Sequence, residues 1–333
     1  MTGTRRPTPI AAPGDIRPPP RAVDSGRRPG SSSNASAIAN SRPCALTTGS
    51  SGGSGAENDG NVRQDLSGGR RIVTGSAGRG PERVSALKVD VFPTVQAVRA
   101  RELPGRVAIA IDVLRATTTA VTALANGSTG VMASRDPEEA LTLAANLPSG
   151  SYVLGGERGS LRLPGFHLGN SPGEYAVDVV ANRRVILATT NGTDAIRLAG
   201  HAQAAAAACL LNGRAVGAWA AMTGLDLTIL CAGTQGEFSL DDVVCAGQVV
   251  DAFCEARGGG VDLSDLALCA RELFVGARHR LLDILQGTRH GRRLIALGFG
   301  ADLEYAAQAD SSRLISVLVE GVLREVTGNQ GQR

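Results

Sequence analysis

The sequence holds a single lysine, Lys88, a single tryptophan and ten aromatic residues in all, and none of those aromatics precedes Phe92. No run reaches the roughly 18 apolar residues of a membrane helix, which excludes a helical span. Six cysteines are too few and too scattered for a disulfide scaffold, and none forms a C-x-x-C pair. Cys209, Cys231, Cys245, Cys254 and Cys269 sit in apolar surroundings and read as small buried hydrophobes in a reducing cytoplasm. With only four dispersed histidines, the composition argues against a Cys/His zinc site. A secretory leader would need an apolar stretch of about 7–15 residues near the start, and none is present.

What is present divides near residue 85. Residues 1–84 hold 12 arginines against 6 acidic residues, whereas the remainder holds 22 basic against 25 acidic residues. The basic isoelectric point, about 8.6, therefore belongs to the N-terminal segment. The mildly acidic remainder argues against a nucleic-acid-binding core. Stretches such as Arg17-Pro-Pro-Pro-Arg21 and Ser50-Ser-Gly-Gly-Ser-Gly55 bury too little apolar surface to offset chain entropy. The expectation is a disordered Arg/Pro/Gly/Ser-rich extension over 1–84 and one folded domain over 85–333.

In that domain short apolar runs alternate with helical segments. Lys88–Phe92, Val107–Val113, Gly130–Ser134, Tyr152–Leu154, Arg184–Ala188 and Leu227–Cys231 read as strands, and Ala204–Cys209 reads equally as strand or helix. Helices are expected at Thr118–Ala125, Pro137–Asn146 behind an Asp136 N-cap, Thr193–Leu198, Arg214–Thr223 and Leu240–Arg257. After Val261 the pattern is mainly helical, with Leu314–Val319 as a last strand. Such alternation implies an α/β domain with a largely parallel sheet covered on both faces. In such sheets ligands bind beyond the carboxyl ends of the strands.

Four polar junctions follow apolar strands. In the first, Asp112 is a candidate cation ligand, Arg115 an oxyanion clamp, and Thr117, Thr118 and Thr119 offer hydroxyls at a helix start. A buried Asp112–Arg115 ion pair with threonine caps explains the same letters. The second, Gly155-Gly-Glu-Arg158, adds Glu157 and Arg158, then Arg162, Asn170 and Ser171, with glycines that allow close backbone approach to a ligand. The third, Thr189-Thr-Asn-Gly-Thr193, has no Walker lysine, but Asn191, Gly192 and Thr193 suit a phosphate cradle. The fourth, Cys231-Ala-Gly-Thr-Gln-Gly-Glu-Phe-Ser-Leu-Asp-Asp242, brings Gly233 and the carboxylates Glu237, Asp241 and Asp242, of which Asp242 also fits a capping box with Ser239. Together these loops suit a hard cation and an oxyanion.

The set Asp112-Val-Leu-Arg-Ala-Thr-Thr-Thr119, Gly155-Gly-Glu-Arg158, Gly169-Asn-Ser-Pro172, Thr190-Asn-Gly-Thr193, Cys231-Ala-Gly-Thr234 and Phe238-Ser-Leu-Asp-Asp242 resembles the 2-phosphosulfolactate phosphatases, over roughly the last three-quarters of the chain. The resemblance implies a layered α/β/α fold with a largely parallel or mixed sheet. It implies a cytoplasmic, magnesium-dependent phosphoric monoester hydrolase that converts 2-phosphosulfolactate, or a related 2-hydroxy acid phosphate, to the hydroxy acid and phosphate in coenzyme M biosynthesis. The partner is then a small anionic ester, with neither nucleic acid nor membrane, and a homodimer stays open. Catalysis would fall to Asp112, Arg115, Glu157 and Arg158; phosphate binding to Thr117, Thr118, Thr119, Asn170, Ser171, Asn191, Gly192, Thr193 and Gly233; and Mg2+ to some of Asp112, Glu157, Glu237, Asp241 and Asp242. Two departures stand out: His167 replaces a usual Asp, and Ser160 a usual Gly. A non-catalytic binder of small phosphorylated acids is the alternative, and His167 is the feature that favours it.

Other phosphatase chemistries lack their signatures. Asp112 is followed by no second Asp of a D-x-D pair, and Cys209 precedes Arg214 by one residue too few for a C-x5-R loop. Arg289-His290-Gly291 matches a histidine-phosphatase motif in letters but lies late, between helices. In-line attack by a metal-bound or carboxylate-activated water fits, with an aspartyl-phosphate on Asp112 as the other route.

Overall fold

The structure is a computed structural model that describes residues 86–326. The expected disordered extension lies outside the described residues. In chain order the first half carries β1 (Leu87–Phe92), β2 (Arg106–Ile111), α1 (Ala116–Ala125), β3 (Gly130–Ser134), α2 (Pro137–Ala145), β4 (Tyr152–Arg158), β5 (Leu161–Arg162), α3 (Val177–Val180), β6 (Arg184–Ala188) and α4 (Gly192–Ala199). There follow β7 (Ala204–Ala208), α5 (Gly213–Met222), β8 (Asp226–Cys231), α6 (Leu240–Arg257), β9 (Val261–Leu263), α7 (Asp265–Ala277), α8 (Leu281–Gly287), α9 (Arg289–Ala296), α10 (Gly300–Ala306), β10 (Ile315–Val319) and β11 (Val322–Val326).

The strands form one mixed sheet in the order β5-β4-β6-β3-β11-β10-β7-β2-β8-β1-β9. Within it β4, β6 and β3 form one parallel block, and β7, β2, β8, β1 and β9 form another. The C-terminal hairpin β10–β11 pairs antiparallel with a strand on each side, so the two blocks run in opposite senses. The layered α/β fold is as expected. The hairpin, of which only the first strand was legible, reverses the sheet at its centre.

Side-chain alternation in β2 explains the layering. Val107, Ile109 and Ile111 face a core built with α5, α6 and α7. Ala108 and Ala110 face a second core, where α1 and α4 meet residues of both blocks. Small side chains on that inner face let α4 lie close against β2. The same demand settles the all-alanine run Ala204–Ala208 as a strand: it fills the gap between β2 and β10, and this context overrides the helical preference of alanine. A third core joins α2 to the outer face of the β4–β6 block. Asp136 caps α2 as expected, accepting from the Glu139 N–H at 2.8 Å. Of the cysteines, Cys209, Cys231 and Cys245 are buried, Cys254 is half-buried, and Cys269 is exposed, against expectation.

Candidate active site

Residues from both blocks converge on one cavity of about 150 Å³, lined by Asp112, Arg115, Glu157, Ser160, Asn170, Thr190, Asn191, Gln235 and the α9 residues Arg289, His290 and Arg293, among others. The loop after β2 is closed by Thr117, whose hydroxyl accepts from the Asp112 N–H at 3.0 Å and donates to the Asp112 carbonyl at 2.8 Å. The Asp112 carboxylate lies against the first residue of α4: a Cβ on Gly192 would overlap Asp112 Oδ2 and the Ala116 methyl. Thr118 Oγ1 donates to the Val113 carbonyl, Thr119 Oγ1 to that of Asn170, and Thr193 Oγ1 to that of Thr189. The threonines expected to bind phosphate thus spend their hydroxyls on backbone carbonyls, and Thr117, Thr118, Thr119 and Thr193 do not line the cavity.

Gly155 and Gly156 lie inside β4, not beyond its end. The space at Gly155 is taken by the Tyr175 hydroxyl, not by a ligand. Strand alternation sends Glu157 inward and leaves Arg158 exposed, away from the cavity. The buried Glu157 carboxylate accepts from the Thr190 N–H at 2.9 Å, the Thr190 hydroxyl at 2.8 Å and the Ser160 N–H at 2.6 Å, so it ties β4 to the loop entering α4. Ser160 has φ +75°, which accounts for glycine as the usual occupant. His167 is exposed; its Nδ1 accepts from the Leu154 N–H at 2.9 Å, and it does not line the cavity. An Asp carboxylate would accept the same bond, so His167 lends no support to a non-catalytic binder.

Arg115 is buried, but not as the partner of Asp112. Its Nη1 pairs with Asp302 Oδ2 at 2.8 Å, its Nη2 donates to the Ser160 carbonyl at 2.9 Å, and its guanidinium stacks 4.3 Å from the centre of the Phe299 ring. Asp302 also accepts from Ser171 Oγ at 2.5 Å, which commits Ser171 to this support. Asn170 is buried beside the cavity, and its Oδ1 has no partner. Asn191 Oδ1 accepts from the Gln235 N–H at 3.1 Å, joining the third and fourth loops.

The five carboxylates proposed for metal are not gathered at one point; among the described residues no three His, Cys, Asp or Glu side chains form a ready cluster. Glu237 is exposed and paired with Arg289 at 2.7 Å. Asp242 is buried and accepts from the Val113 N–H at 2.9 Å and the Gly233 N–H at 3.0 Å, which replaces the expected capping box with Ser239 and makes Gly233 part of the frame. Asp241 accepts from Ser239 Oγ at 2.7 Å. Burial first, then the charges of Asp241 and Glu157, push the Asp112 carboxyl up to about 7. Burial also raises Asp241 and, with the charges of Asp241 and Asp112, raises Asp242 well above the carboxylate range. Burial holds the His290 imidazole below its ordinary value.

Sequence reasoning missed Asp302 and the α9 face, and marked Ser160 only as a departure, not as part of the cavity. The letters Arg289-His290-Gly291 were visible, but nothing local said that α9 returns to the cavity.

A family profile described as 2-phosphosulpholactate phosphatase matches residues 92–321. A protein of Symbiobacterium thermophilum named "Probable 2-phosphosulfolactate phosphatase" is 46% identical over 222 residues, 67% of this chain and 95% of its own. Proteins of the same name from Deinococcus radiodurans, 42% identical over 65% of this chain and 88% of theirs, and Caldanaerobacter subterraneus, 34% identical over 71% and 97%, are also similar. The matched region spans every strand that delivers a residue to the cavity, and with these identities the chain belongs to the 2-phosphosulfolactate phosphatase family.

Proposed function

We propose that the chain hydrolyses 2-phosphosulfolactate, or the phosphate ester of a related 2-hydroxy acid, to the hydroxy acid and inorganic phosphate, with magnesium as cofactor. The observation that carries this reading is one cavity faced by a buried carboxylate, Asp112, and a guanidinium fixed on all sides, Arg115. Magnesium fits the donors present. Asp112 and the unpartnered Asn170 Oδ1 are oxygen donors on the same cavity, and magnesium commonly takes one or two protein oxygens and completes its shell with water and phosphate oxygens. When bound it neutralises charge on the phosphoryl oxygens.

The chain's own residues supply the rest. Asp302 and Phe299 hold Arg115 so that its donors need no reorganisation as charge shifts on the phosphoryl group. Glu157 fixes the backbone of Thr190 and Ser160, which sets the cavity wall. His290, kept neutral near pH 7 by burial, accepts the proton of the attacking water. The water oxygen forms the new P–O bond, the ester P–O bond breaks, the departing oxygen takes a proton from solvent to become the hydroxyl of the acid, and His290 releases its proton to solvent to restore the site.

Phosphate release from 2-phosphosulfolactate and 2-phospholactate, with magnesium and with chelator, tests the proposal. Turnover that chelation abolishes and magnesium restores supports it. Binding without phosphate release in magnesium overturns the enzymatic reading, and full turnover in rigorously metal-free buffer removes magnesium from it.

A further inference from the structure

The arginines that the sequence offers near Glu157 do not serve the cavity: Arg158 and Arg162 are exposed and do not line it. Its cationic face comes from α9. Arg289 and Arg293 are four residues apart, hence on one face of that helix, and both line the cavity with His290. Their charges are not equally committed. Arg289 is paired with Glu237 at 2.7 Å. Arg293 donates only to the Gly159 carbonyl at 3.1 Å, and among the described residues no carboxylate pairs with it. Arg115, the other guanidinium of the cavity, is charge-paired with Asp302 at 2.8 Å.

We propose that Arg293 binds the second anionic group of the substrate, the carboxylate or sulfonate borne by a short phosphorylated hydroxy acid, and thereby sets specificity. This rests on the phosphatase reading above. Asp112 and Glu157 put negative charge on one part of the wall, while Arg289 and Arg293 put positive charge on another. A simple phosphomonoester has nothing to offer the α9 arginines, whereas a second anion takes the planar fork of Arg293 bidentately. If Arg293 merely ties α9 to the turn after β4 through Gly159, its removal weakens turnover of every ester alike.

The test is kcat/KM for 2-phosphosulfolactate, 2-phospholactate and isopropyl phosphate, which share a branched skeleton and differ in anionic groups. Arg293→Ala is expected to lower the preference for 2-phosphosulfolactate over isopropyl phosphate by about ten- to a hundredfold, chiefly through KM, with partial recovery in Arg293→Lys. Arg292→Ala serves as control: its side chain bonds the Gly287 carbonyl and does not line the cavity, so the preference stays. A matching fall with 2-phospholactate assigns the carboxylate, and a fall confined to 2-phosphosulfolactate assigns the sulfonate; both uphold the proposal. An unchanged preference in Arg293→Ala overturns it. If the wild-type chain releases phosphate from none of the esters, the phosphatase reading fails separately, and calorimetry with 3-sulfolactate decides the inference. Binding at least tenfold weaker in Arg293→Ala upholds it, and equal binding overturns it.

Discussion

Replacing Asp302 by alanine removes the carboxylate that pairs with Arg115 at 2.8 Å, at a site where the two side chains are 6% and 2% exposed. The guanidinium then stays buried with one hydrogen bond to the Ser160 carbonyl and its stack on Phe299. Leaving one member of a buried pair uncompensated costs about 3–5 kcal/mol. For a domain of this size each kcal/mol lowers Tm by about 2–4 °C, so Asp302→Ala should melt roughly 6–20 °C below the wild type. Asp302→Asn has the same shape. Its amide oxygen still accepts from Arg115 and its NH2 donates to Ser171 Oγ, so the hydrogen bonds stay but the counter-charge is lost, and the cost should sit at the lower end of that range, about 3 kcal/mol. Thermal unfolding and phosphate release are measured on both variants. Both are expected to lose kcat/KM, by about tenfold in Asp302→Asn, because the donors of Arg115 are no longer held in place. Arg115→Lys should lose stability together with activity, since an ammonium cannot reach Asp302 and Ser160 at once or stack on Phe299. An Asp302→Ala protein that melts within 2 °C of the wild type, a margin of about 1 kcal/mol or less, refutes the buried-pair argument. A destabilised variant with undiminished kcat/KM separates Arg115 from the chemistry.

Other outcomes follow from single contacts. The Asp112 carboxyl is pushed up from 3.8 to about 7 in the folded protein. Between those values the unfolded chain ionises while the native one holds its proton, so the native state loses stability as pH rises from 3.8 to about 7. Asp112→Asn should therefore unfold at higher denaturant than wild type at pH 8 and at equal denaturant near pH 3.5, in metal-free buffer, and should lose turnover; a constant difference at both pH values refutes the assignment. Gly192→Ala drives a Cβ into Asp112 Oδ2 and Ala116 and should cost about 1–3 kcal/mol with a large fall in turnover; an unaltered melting curve counts against the close approach. Ser160→Gly relieves a left-handed conformation and should gain about 0.5–1 kcal/mol in denaturant unfolding. His167→Asp keeps an acceptor for the Leu154 N–H outside the cavity and should leave kcat/KM within about twofold, a change under 1 kcal/mol.

The sequence by itself determined the local elements. Short apolar runs marked β2, β3 and β6 to within two residues, Asp136-Pro137 marked the start of α2, and the order of six motifs carried the family resemblance. It also named Asp112, Arg115, Glu157, Asn170 and Asn191, which the fold does bring to one cavity. These signals were legible because they rest on neighbours a few residues apart: pleat, cap and turn.

Tertiary structure decided what depends on partners far along the chain. It made Ala204–Ala208 a strand, because alanine has no strong preference that the gap between β2 and β10 could not override. It reversed the sheet through β10–β11, turned Arg158 outward by extending β4, and consumed the threonine hydroxyls on backbone carbonyls. Arg115 found its counter-ion in Asp302, 187 residues away, and the cationic wall came from α9, nearly as distant. A buried charge is stable only beside a compensating one, but which carboxylate arrives there is set by how the helices after α6 pack against the sheet. No local pattern in the sequence encodes that arrangement.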